Sequence, residues 1–183
     1  MAETYETVFE SYLSEVQKCR EGRCYWSLLH MLLAMPGICA AAQESNGSTS
    51  GKDQKCYEAW CEVNLIPLSK VKSKELWYHM RCKIFHQGWT SDCEKGDPKV
   101  RFYEKGQVEH ASSDQGTLCM DVDEMADEIF AAVRKWWNSN HSPQLATRIE
   151  KIARPTTISI KLSGLQGTQC SSGVLVSQPP AHN

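Results

Sequence analysis

Tyr5, Val8, Phe9, Tyr12, Leu13 and Val16 recur every three or four residues, with Glu3, Glu6, Glu10 and Glu15 among the other positions. That spacing lays one apolar stripe along a helix and predicts a first helix closed by Gly22. From residue 25 to 42 the pattern changes, because only Ser27 and His30 are clearly polar. A helix apolar on every side belongs at the centre of a bundle, and Pro36-Gly37 should kink or stop it. Residues 43–55 (QESNGSTSGKDQK) are polar, Gly/Ser-rich and without period, and read as a mobile loop. A third helix is expected over residues 54–65, ended by Pro67. Ser73 offers an N-cap to a fourth helix. Leu76, Trp77, Met80, Ile84 and Phe85 would form its buried stripe, with Gly88 as its stop.

Residues 99–104 alternate like a strand, Gly106 and Gln107 are placed to turn it, and residues 116–122 can supply a partner strand. A fifth helix over 123–138 carries Met125, Ile129, Phe130, Val133, Trp136 and Trp137 at helical spacing, with Asp123 as its N-cap. Beyond Ser142 the composition shifts. Residues 145–153 suit one or two helical turns, and 155–183 read as a tail with one β-like run, TTISIKL. The predicted fold class is all-α, an antiparallel helical bundle over residues 1–141. A small β-hairpin at 99–122 is inserted before the last core helix, and 142–183 form a largely irregular extension.

A length of 183 residues favours one domain. Twenty Lys+Arg against 22 Asp+Glu give a net charge of −2, which argues against binding nucleic acid through bulk charge but leaves room for a local basic pocket. The cysteines number nine, an odd count, and Cys39 and Cys119 sit in apolar runs, so thiols acting as small hydrophobes are expected. Residues 2–20 are acidic and periodic rather than a charged n-region with an apolar h-region, which predicts a cytoplasmic protein. The 25–42 segment barely reaches the length of a membrane span, and His30 near its middle would be costly in lipid. A buried core helix is the expectation, with no membrane contact.

The most informative chemistry lies in the stretch from Tyr78 to Gly88. His79 and His86 are seven apart and share a helix face, with Cys82 and Lys83 between them. Arg81 and His86 are five apart and flank one edge of the same helix end. Together they offer a proton acceptor near neutral pH, a proton donor and a fixed cation, as phosphodiester cleavage without metal requires. An Arg, four residues, then His in the last turn of a helix, followed by Gln-Gly, resembles the motif of HEPN domains, the higher-eukaryote and prokaryote nucleotide-binding helical fold.

The resemblance implies a HEPN-like bundle over roughly residues 3–138, although its specific part is Arg81 to Gly88. Many family members are metal-independent endoribonucleases that pair two motifs across a homodimer; others have lost catalysis and bind RNA or partner proteins. Carried to this chain, His86 would activate the ribose 2′-hydroxyl or protonate the leaving oxygen, and Arg81 would hold the scissile phosphate. From their place on the same helix end, and not from the family, His79 and Lys83 would bind substrate beside them. The resemblance further implies an RNase of a bacterial defence or toxin–antitoxin module, with an antitoxin or other partner protein; the alternative is an inactive interaction module. Cys82 departs from the Asn, Asp or His common after the Arg, and a thiol is a poor hydrogen-bond donor.

Two further readings compete. Cys82 with His86, joined by the Cys56/Cys61 or Cys19/Cys24 pair, could ligate zinc, but C-x4-C on a helix points its thiols apart. A Cys93 or Cys82 nucleophile with His86 as base lacks any matching flanking signature, and acids beside Cys93 would raise its pKa. Cys56 reads as a buried thiol, His30 as a core histidine bonded to backbone or a Tyr, and Trp136-Trp137 as a core edge plus interface anchor. No cofactor and no metal are expected.

Overall fold

The computed structural model describes residues 4–65, 76–82, 84 and 100–153, with Tyr78 and His79 as backbone only. These residues are mostly helical, with one small sheet. Helix α1 spans Tyr5–Glu21. The Thr4 hydroxyl accepts from the Thr7 N–H and the Thr7 hydroxyl accepts from the Thr4 N–H, satisfying two donors at the helix start. Helix α2 spans Tyr25–Gln43 and α3 spans Asp53–Asn64. Helix α4 covers Val122–Asn140 and α5 covers Pro143–Ala153.

Helix α2 is the axis of the bundle, touching each of the other four helices. That position explains its uniform apolarity: Leu28, Leu32, Met35, Cys39 and Ala42 are all fully buried. The helix continues through Pro36 to Gln43, so of the expected kink or stop the stop is corrected. Packing on every side outweighs the one backbone hydrogen bond a proline removes. Its length and mean hydropathy of 1.4 would suffice to cross a membrane, yet 56% of that window is buried against the rest of this chain. Residues 44–52 form a loop with its own hydrogen bonds, from Ser48 to Asn46, from Ser50 to Ser48 and from Lys52 to Glu44.

Helix α4 is strongly amphipathic, burying Met125, Ile129, Val133, Trp136 and Trp137. Trp137 meets Phe9 edge-on at 6.2 Å, and Trp136 meets Trp60 at 6.1 Å, so both tryptophans are buried in the core rather than at its edge. The cap of α4 is Asp121, not Asp123. Asp121 accepts from the N–H groups of Asp123 and Glu124, which frees Asp123 to reach Arg20. Residues 145–153 prove to be the body of α5, longer than the one or two turns expected. Leu145, Ala146 and Ile149 bury against the bundle, so α5 belongs to the core and not to an irregular extension.

The sheet corrects the predicted hairpin. Strands β1 (Val100–Tyr103) and β3 (Thr117–Asp121) pair in parallel, with Val100 opposite Leu118, while β2 (Ser112–Asp114) is the antiparallel partner of β3. The order is β1-β3-β2. The hairpin turn is Gln115-Gly116, whose φ values of 47° and 81° suit the twist of a tight two-residue connection. The predicted Ser73 cap, Gly88 stop, Phe85 and the TTISIKL run lie outside the described residues, as do Pro67 and Cys93.

Candidate functional site

Leu76–Cys82 form a π-helical segment, a widened turn that often accompanies function. Leu76, Met80 and Ile84, four apart, are buried and anchor it to the core. The next ridge carries Trp77 and Arg81. Trp77 packs on Tyr57 of α3, their rings 5.2 Å apart and inclined at 59°. The Arg81 guanidinium lies 4.3 Å from the Trp77 ring centre and 5.7 Å from that of Tyr57. This stack fixes a half-buried arginine that a long side chain would otherwise leave among several rotamers.

Arg81 and Trp77 line a cleft of about 190 Å³ with Gly37 and Ile38 of α2 and Thr49 and Asp53. The Thr49 hydroxyl donates to the Asp53 carboxylate. The space is below that of a typical small-molecule pocket, and suits one group of a larger ligand. An anion seated against Arg81 must also face Asp53. Burial pushes the Cys82 thiol up, and the neighbouring, hydrogen-bonded Arg81 guanidinium pulls the other way without cancelling it. Cys82 therefore stays a thiol near neutral pH, which argues against a Cys82 nucleophile.

Of the four residues predicted for the nuclease site, Arg81, His86, His79 and Lys83, Arg81 alone has a described side chain. His79 lies on the π-helical segment as backbone only, and His86 and Lys83 fall outside the described residues. Cys56 is half-buried rather than buried, with Sγ 3.9 Å from Glu44 Oε1. His30 meets the Trp26 carbonyl at 2.7 Å, the backbone bond expected. No group of three or more metal-ligating residues gathers among the described residues.

The structure adds two features that sequence reasoning missed. Asp121, fully buried, accepts from the Gly106 N–H at 2.6 Å besides capping α4, while its own N–H donates to His110 Nδ1 at 3.1 Å. His110 Nε2 faces Glu128 at 3.4 Å. This network joins sheet to helix, and its only sequence signal was an Asp before a helical run. The second is a cleft of about 450 Å³ between the start of α2 and β1, lined by Tyr25, Trp26, Leu29 and Phe102. Trp26 is 54% exposed there. No family model, curated protein or solved structure matches the chain.

Proposed function

We propose that this chain is a HEPN-like helical protein that acts on RNA, as a metal-independent endoribonuclease built around Arg81 and His86. The observation that supports it best is the place of Arg81: a guanidinium stacked on Trp77 and Tyr57 at the wall of a cleft. Stacking engages the guanidinium face, while its N–H donors radiate in the ring plane, the direction from which phosphate oxygens are held. The cleft's volume suits one backbone phosphate better than a free nucleotide.

In this reading the His86 imidazole takes the ribose 2′-hydroxyl proton as that oxygen attacks phosphorus. The leaving 5′-oxygen is then protonated, giving a cyclic phosphate and a 5′-hydroxyl. Arg81 offsets the charge that develops on the phosphoryl oxygens. His79 and Lys83 flank the substrate, and a homodimer brings two such edges together. An antitoxin-like partner would cover the same edge.

The test is to incubate the purified protein with a labelled structured RNA in excess EDTA, beside Arg81→Ala and His86→Ala. Cleavage to cyclic-phosphate ends, falling about 10²–10⁴-fold in both variants, is expected. A second reading, a binding module without catalysis, draws on Cys82 beside Arg81 and on the half-exposed Trp26 over the larger cleft. Absence of cleavage by an intact dimer favours it.

A further inference from the structure

Helix α1 ends in a tight hydrogen-bonded corner. Gly22 is the cap, Arg23 follows at φ 53°, in the left-handed region, and the chain turns directly into α2. The Arg23 N–H donates to the Arg20 carbonyl at 3.2 Å and the Cys24 N–H to the Cys19 carbonyl at 2.8 Å. These two crossed bonds define a Schellman motif, in which the residue three back from the cap and the second residue beyond it touch through their side chains. Here those two positions are Cys19 and Cys24. The positions of the motif's usual apolar contact are thus both cysteines, and the Cys24 thiol donates to the Gly22 carbonyl at 3.5 Å.

The separation follows from the backbone. A carbonyl oxygen lies about 2.4 Å from its own Cα and an amide nitrogen about 1.5 Å from its own, so a 2.8 Å bond holds the two Cα atoms within about 6.7 Å. A disulfide takes roughly 4.4–6.8 Å. The thiols also differ in access. Cys24 is exposed, the only exposed one among the described cysteines, and Cys19 is half-buried against the core. Burial, and then Cys24 itself, push the Cys19 thiol up, so it is the poorer first nucleophile.

We propose that Cys19 and Cys24 are a redox-responsive dithiol that closes to an intramolecular disulfide under peroxide. The Cys24 sulfur attacks a peroxide oxygen, the O–O bond breaks, and one water leaves with Cys24 as a sulfenic acid. The Cys19 sulfur then attacks Cys24 Sγ, the S–O bond breaks, and a second water leaves. Two thiol protons and two electrons pass to one hydrogen peroxide. The bridge pins the corner from which Arg20 reaches α4 and from which Tyr25 and Trp26 open onto the larger cleft.

The test uses the full chain, reduced, desalted and exposed to graded hydrogen peroxide, then blocked with N-ethylmaleimide. A protease that spares Lys and Arg keeps Cys19 and Cys24 on one peptide, because Lys18, Arg20 and Arg23 would otherwise be cut. The expected product is that peptide lacking two hydrogens, unlabelled, restored by dithiothreitol and formed before the buried cysteines react. In Cys19→Ser the same peptide should keep its hydrogens and be trapped by dimedone at Cys24. Bridging should also raise the melting temperature by a few degrees in the wild type, and not in Cys24→Ser. Cys24 oxidised without a bridge, Cys24 joined to a different cysteine, or both thiols left free while others oxidise would each overturn the proposal.

Discussion

Arg20 and Arg81 carry the same charge and are held in opposite ways. Arg20 Nε meets Asp123 at 2.8 Å and Nη1 meets Asp127 at 2.9 Å, while Nη2 reaches the Asp123 carbonyl at 3.2 Å. Its fork is spent on tying α1 to α4. Arg81 is instead gripped by its faces, on Trp77 and Tyr57. An ion-paired fork ties two elements together, whereas an aromatic shelf orients a guanidinium by its faces. Arg81 also lines a cleft, and it is on that position that our proposal rests.

The largest expected effect is on the foundation of the Arg20 tie. Asp121→Ala removes a buried acceptor serving three N–H groups, those of Gly106, Asp123 and Glu124. It should cost about 2–4 kcal/mol in urea unfolding, by loss of the cap and stranding of donors. Next, Arg20→Met should cost roughly 1–3 kcal/mol, because Asp123 is mostly buried and loses its partner, while Arg81→Met should cost less than about 1 kcal/mol. Equal losses in the two variants, measured by the same denaturation, would break the comparison and make Arg81 structural as well.

Alkaline titration addresses the ground on which Arg81 rests. Burial pushes the Cys61 thiol from an ordinary 9.0 to about 12, and pushes Cys39 and the Tyr57 hydroxyl upward too. A raised folded pKa means that the unfolded chain loses its proton first. The stability is therefore whole below pH 9 and drains away between 9 and 12. The melting temperature should fall by several degrees from pH 8 to 10.5, with a shallower fall in Cys61→Ala. The smallest effect concerns the corner beside Arg20. Arg23 holds φ at 53°, so Arg23→Gly should stabilise the fold by roughly 0.5–1 kcal/mol, seen as a raised urea midpoint.

The helices were legible wherever the apolar period was strong, as in α1, in α3 to within a residue and in the body of α4. The all-round apolarity of α2 also pointed correctly to the centre of the bundle. Other features depend on partners distant in the chain. Two-residue alternation marks β1 and β3 as strands but is the same for parallel and antiparallel pairing, so β2 was overlooked. Asp121 and Asp123 are equally good caps by residue type, and it is Arg20, a hundred residues earlier, that claims Asp123. Pro36 reads as a break until the packing around α2 is known. Arg81 could be picked out from its spacing to His86, yet nothing local foretold its stack on Tyr57, which comes from another helix.

The most direct test of the claim that Arg81 faces a phosphate is the affinity of a fluorescent RNA oligonucleotide for the wild type, Arg20→Met and Arg81→Met at one salt concentration. The account predicts binding weakened about tenfold or more in Arg81→Met with its melting temperature nearly unchanged, and retained in Arg20→Met whenever that variant is folded. Equal affinity in the wild type and Arg81→Met, or no binding by the folded wild type, would contradict it.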